Sequence, residues 1–130
     1  MCVGVTSAKV PQDSRNAALW FLKAAEQGSA RAQLKLGQCY VNGVGVPEND
    51  ALAVKWFGKA ADGGNVDAAF ALGVCYYEGE GVAKDYHAAS GLFKLAADKG
   101  HSGAQLAIGM CFEHGHGVHK NKVRIKTQNA

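Results

Sequence analysis

Glycines recur at one fixed interval along this chain. Gly28, Gly64 and Gly100 stand 36 residues apart, as do Gly37, Gly73 and Gly109, then Gly43, Gly79 and Gly115, and finally Gly45, Gly81 and Gly117. Twelve of the 17 glycines obey this period, so their excess is architectural rather than a sign of low complexity. The same offset relates Ala32, Ala68 and Ala104; Cys39, Cys75 and Cys111; Tyr40, Tyr76 and Phe112; and Phe21, Phe57 and Phe93. Residues 29 to 64 and 65 to 100 share 14 identities in 36 positions. A repeat of this length is the mark of a solenoid, in which each unit buries its apolar face only against its neighbours.

Each repeat contains two helical patterns. Ala32, Leu36, Cys39 and Tyr40 fall at i, i+4, i+7 and i+8, one face of a helix predicted over residues 30–42 and repeated over 66–78 and 102–114. Gly43 is placed to close it in the left-handed conformation. The second stripe, Ala53, Trp56, Phe57, Ala60 and Ala61, predicts a helix over residues 50–63, with equivalents over 14–27 and 86–99. Asn49, Asp13 and Asp85 stand where side-chain oxygens would cap the first turns of these helices, and Gly64 would end the middle one. Gly37, Gly73 and Gly109, inside helices at a cost of about 1 kcal/mol each relative to alanine, predict points of close backbone approach.

The string Ala-x-x-x-Leu-Gly-x-x-Tyr-x-x-Gly-x-Gly-Val, then Asp or Asn, then Ala-x-x-Trp-Phe-x-x-Ala-Ala-x-x-Gly, resembles the Sel-one-like repeat (SLR) family, relatives of the tetratricopeptide repeats, over residues 10 to 118. One departure is Leu92, which stands where Trp20 and Trp56 set the pattern. The resemblance implies an all-α fold, a right-handed α/α superhelix of antiparallel helix pairs, with the first helix of each pair inside and the second outside. The expected organisation is an N-terminal segment 1–12, a half repeat 13–28, full repeats 29–64 and 65–100, a half repeat 101–118 and a basic tail 119–130 expected to be disordered. Neither end of the array shows a polar cap, which leaves three expectations: a fragment of a longer array, ends covered by the tail, or self-association through uncapped ends.

The resemblance also implies the function, a protein-protein interaction scaffold or adaptor that binds a partner peptide or domain on the concave face. By analogy with tetratricopeptide grooves, that face comprises Arg31, Gln38 and Asn42; Asp67, Val74, Tyr77 and Glu78; and Met110, Glu113 and His114. Leu34, Phe70 and Leu106 occupy an intermediate row, core or groove floor. The mixed charge along these residues disfavours a clamp for one anionic terminus. Substituting Tyr77 or Asn42 by alanine is expected to weaken partner capture without loss of stability.

Other chemistry weighs less. Cys39, Cys75 and Cys111 lie on the buried stripe, and neighbouring repeats sit about 9–10 Å apart, beyond the roughly 7 Å that a disulfide spans, so they are expected to be free core thiols. Some bacterial SLR proteins carry two joined cysteines per repeat; this chain has one per repeat. A beta-lactamase-like or cell-wall-related hydrolase is the alternative suggested by such relatives, but no Ser-x-x-Lys follows any serine, and the chain is expected not to be an enzyme. A metal-binding module through Cys111, His114, His116 and His119 is a second alternative; the repeat framework does not call for histidine there, and no metal or other cofactor is expected. The Gly-x-Gly loops follow helix C-termini, where the dipole repels phosphate. Trp20, Trp56, Phe57 and Phe93 have core spacing rather than that of a base-stacking platform. The formal charge of +3 resides in Lys120, Lys122, Arg124 and Lys126; residues 1 to 117 carry ten basic and eleven acidic side chains, so no nucleic-acid binding by the folded body is expected. No apolar run reaches membrane-span length. Without a signal peptide and with unpaired cysteines, a cytoplasmic location is expected, or an extracytoplasmic one if the chain belongs to a longer protein.

Overall fold

The fold was obtained as a computed structural model in which residues 3 to 116 are described, with side chains from Asp13 onward. The described residues form six helices: α1 (Val3–Glu26), α2 (Ala30–Asn42), α3 (Asp50–Asp62), α4 (Val66–Glu78), α5 (Tyr86–Asp98) and α6 (Ser102–His114). The described residues contain no strand. Each helix packs on the next in sequence, as expected of an all-α solenoid; α2, α4 and α6 correspond to the helices that the family resemblance places inside, called inner below, and α1, α3 and α5 to those it places outside, called outer.

The caps explain why the pattern turns where it does. Asn49 and Asp85 accept from the amides of Leu52 and Ala88 at 3.0 Å each, and their own N–H groups donate to the carbonyls of Tyr40 and Tyr76 at 2.9 Å. One residue thereby starts the outer helix and ties it to the end of the inner one. Asp13 does not play this part: α1 continues through it from Val3, and no Gly-x-Gly-Val loop precedes it as one precedes Asn49 and Asp85. Gly43 and Gly79 close α2 and α4 in the left-handed region, at φ 67° and 73°. Gly45 and Gly81 serve sterically, because a Cβ on either would overlap the backbone carbonyl of Ser14 or Asp50 on the preceding outer helix. α3 ends at Asp62, and Gly64 follows at φ 92°.

The inner helices have a second set of caps. Ser29, Asn65 and His101, again 36 residues apart, accept from the amides of Ala32, Ala68 and Ala104 at 3.1, 2.8 and 3.0 Å. For His101 the acceptor is Nδ1, which therefore carries no proton in this arrangement; its Nε2 lies 3.1 Å from Asp67 Oδ1, and its ring stacks on Phe70 at 4.6 Å.

The core follows the repeat. Leu34, Ala53, Phe57, Ala60, Ala68 and Cys75 form one buried cluster, and Ala89, Phe93 and Cys111 form another. Trp56 closes a third over Ala32 and Leu36. The helix-interior glycines do make room, but for a ring rather than for backbone. A Cβ on Gly37 would lie 2.6 Å from the Phe57 ring, and one on Gly73 2.7 Å from the Phe93 ring. At Gly109 no described atom comes within 4 Å.

Candidate partner-binding face

Each inner helix carries a stripe at i, i+4, i+7 and i+11: Arg31, Lys35, Gln38 and Asn42 on α2; Asp67, Ala71, Val74 and Glu78 on α4; Gly103, Ala107, Met110 and His114 on α6, with Ala71, Val74 and Ala107 half-buried and packed against the core. Of the ten residues expected at the groove, eight are exposed, while Val74 and Tyr77 are half-buried. Glu113 is exposed beside the α6 stripe. Lys35, Ala71, Gly103 and Ala107 belong to the same rows and are not among the ten expected residues; their signal is the helical interval itself. The face is segregated in charge. α2 offers two cations, Arg31 and Lys35, and no anion; α4 offers two anions, Asp67 and Glu78, with small apolar residues between them. Leu34 is core at 7% exposure and Phe70 is packed between Phe93 and His101, whereas Leu106 stands 67% exposed.

Beyond Glu78 the acidic character continues. Glu78 beside Glu80 raises the Glu80 carboxyl above its ordinary range, with partial desolvation and Asp50 adding to the effect. One repeat later the positions of Val41, Asp50 and Glu80 are taken by Tyr77, Tyr86 and His116, and these three meet. Tyr77 Oη and His116 Nδ1 are hydrogen-bonded at 2.7 Å, and the Tyr86 and His116 rings stack with centroids 4.1 Å apart. Tyr77 also packs edge-on against Phe93 at 6.2 Å, which makes it a structural residue as well as a groove candidate. The expectation that Tyr77→Ala leaves stability untouched is therefore corrected. His114 lies 5.5 Å from His116, ring to ring. Among the described residues no three His, Cys, Asp or Glu side chains converge in a way that could hold a metal ion, and His119 lies outside the described residues.

Cys39, Cys75 and Cys111 are free and buried. Burial raises all three thiols, and near Glu80, Asp50 and Glu78 that of Cys75 is pushed up to about 11. Held protonated at neutral pH, these sulfurs are poor nucleophiles and poor metal ligands. Cys2 lies outside the described residues. Trp56, Phe57 and Phe93 are core as expected, but Trp20 is 65% exposed, with Lys23 Nζ 4.6 Å above its ring.

The stacked helix pairs, their repeated caps and the row of inner-helix stripes define an all-α helical repeat solenoid. The Sel1 repeat family model matches residues 4–29, 30–65, 66–101 and 102–124, and the chain belongs to that family. The last match runs into the stretch read from sequence as a basic tail. Among solved structures, a Sel1 repeat protein from Oxalobacter formigenes is similar at 40% identity with a TM-score of 0.78, covering 82% of this chain and 44% of that one. A protective antigen of uropathogenic Escherichia coli with an SLR fold is similar at 36% identity and a TM-score of 0.81, covering 82% of this chain and 23% of that one. The Helicobacter pylori cysteine rich protein B is similar at 30% identity and a TM-score of 0.64, covering 67% of this chain and 65% of that one. The chain thus spans less than two thirds of the length of each of these three. Comparison with curated proteins finds no match. Sel1 repeat proteins are generally protein-interaction scaffolds and typically non-catalytic. No helix among the described residues is long and apolar enough to cross a membrane.

Proposed function

We propose that this chain is an adaptor whose inner-helix face holds a segment of a partner protein. The observation that carries the reading is the in-register stripe across α2, α4 and α6, in which exposed Met110 and the half-buried Ala71, Val74 and Ala107, packed on the core beneath, lie between exposed charged or polar residues. Small side chains leave space for a partner's backbone, and Met110, 45% exposed and flexible, adapts to its side chains. The segregated charge favours a partner segment with acidic residues over Arg31 and Lys35, a basic residue near Asp67 or Glu78, and apolar residues toward α6. Recognition by shape and charge pattern requires no catalytic group, and the raised thiols fit a non-catalytic role. Three unpaired thiols also fit a reducing compartment.

Selection from a random peptide library tests this proposal. The wild-type chain should enrich peptides with acids on one side of an apolar centre, and the double variant Arg31→Glu/Lys35→Glu should enrich bases at the same place. Exposed charges contribute about 0.2–1 kcal/mol each, so reversing both should weaken a wild-type-selected peptide by roughly tenfold at low salt. Identical consensus sequences from both chains would remove the inner-helix face from consideration.

A further inference from the structure

The two ends of the described array expose complementary halves of one interface. Within the chain, an inner helix packs on the outer helix that follows it twice, α2 on α3 and α4 on α5. On the outer side these contacts bury Ala53, Trp56, Phe57 and Ala60 in α3, and Ala89, Phe93 and Ala96 in α5. The equivalent stripe of α1 is Ala17, Trp20, Phe21 and Ala24; Ala17, Trp20 and Ala24 are exposed, and Phe21 is half-buried. On the inner side the contacts seat Phe57 on Gly37 beside Leu34, and Phe93 on Gly73 beside Phe70. The equivalent seat on α6 is Gly109 beside Leu106; Leu106 is 67% exposed, and no described atom lies within 4 Å of a Cβ placed on Gly109. α1 therefore presents an outer-helix surface without its inner helix, and α6 presents an inner-helix surface without its outer helix, among the described residues.

We propose that these surfaces join, so that α1 of one copy docks on α6 of a second copy and the chain associates head to tail. Phe21 of the docking copy would sit over Gly109 and Leu106, as Phe57 sits over Gly37, and Trp20 would cover Ile108 as Trp56 covers Leu36. Self-complementarity is the reason to name a second copy as the occupant: the chain already contains this interface twice at the same spacing, with the glycine seat and the phenylalanine kept in both and Phe70 standing for Leu34 and Leu92 for Trp56. The contact is heterologous, so each copy keeps one free end of each kind and association continues beyond the dimer as concentration rises. On α6 it uses the row of Leu106 and Gly109 rather than that of Ala107, Met110 and His114, with Glu113, the equivalent of Tyr77, on the edge that the two share.

The test is sedimentation analysis of the 130-residue chain and two variants over a wide concentration range. Trp20→Glu and Leu106→Glu alter exposed side chains; unchanged circular dichroism spectra would confirm that both variants fold. The wild-type chain should show concentration-dependent association into dimers and longer species. Each variant should associate more than about tenfold more weakly, as loss of a central interface residue requires. Their mixture should form a dimer and stop there, because one variant retains an intact α6 face and the other an intact α1 face. A wild-type monomer at all concentrations would overturn the proposal, including one that associates only after residues 119–130 are removed, since that segment would then be the occupant. A symmetric dimer that Leu106→Glu abolishes and Trp20→Glu leaves intact would overturn it as well.

Discussion

Alanine substitution at Gly73 and at Gly109 should move stability in opposite directions, although the two glycines hold the same place in the repeat. At both sites alanine favours the helix by about 1 kcal/mol over glycine. At Gly73 the new Cβ would lie 2.7 Å from Cε1 and 2.8 Å from Cδ1 of Phe93, a core ring 3% exposed that cannot swing into solvent. Forcing an extra methyl into such a packed site costs about 1–3 kcal/mol. The net at Gly73 is then a loss of about 0–2 kcal/mol, and at Gly109, where the Cβ meets no described atom, a gain of about 1 kcal/mol. Urea denaturation followed by circular dichroism, at concentrations low enough to keep the chain monomeric, measures both. Gly37→Ala should behave as Gly73→Ala, since its Cβ would lie 2.6 Å from the Phe57 ring. Equal shifts at Gly73 and Gly109 would refute the idea that the helix-interior glycines exist to seat the following phenylalanine.

Three further outcomes follow from the packing. Because the folded state holds the Cys75 thiol up at about 11 against an ordinary 9.0, its contribution to stability is complete below pH 9 and is lost as pH rises toward 11; pH-dependent urea unfolding should show that slope, and Cys75→Ala should flatten it. His101→Ala should destabilise the chain by removing the α6 cap along with the Phe70 stack, while His101→Asn should recover about 1 kcal/mol of the loss by restoring the acceptor, as thermal melts would show. Tyr77→Phe should cost about 1 kcal/mol by removing the hydrogen bond to His116, and Tyr77→Ala distinctly more because the packing on Phe93 goes too.

The helix boundaries were visible in the sequence wherever both ends of a helix carried a repeated marker. α2, α4 and α6 begin and end on the expected residues, because an alanine-based stripe is closed by a glycine that adopts a left-handed conformation. The outer-helix caps at Asn49 and Asp85 were visible for the same reason, and Asp13 misled because period alone placed it, without the glycine loop that stops a preceding helix. The inner-helix caps escaped notice because Ser29, Asn65 and His101 differ in type, and histidine caps only through its unprotonated Nδ1. For the candidate face, the analogy with tetratricopeptide grooves chose positions beside the buried stripe, and eight of the ten are exposed. The contact between Tyr77 and His116 spans 39 residues, slightly more than one repeat, and a comparison of like positions cannot show it. Period likewise could not tell buried Trp56 from exposed Trp20, since the two tryptophans differ only in what packs against them.

The claim that the inner helices form the binding face is tested most directly by site-specific photo-crosslinking to a library-selected peptide. A photoreactive residue would replace Gln38 or Met110 on the inner helices, or Lys59 or Lys94 on the outer ones; all four positions are exposed, so none should disturb the fold. Strong labelling is expected from positions 38 and 110 and background labelling from 59 and 94. Labelling concentrated at 59 and 94 would place the partner on the outer helices and contradict the claim.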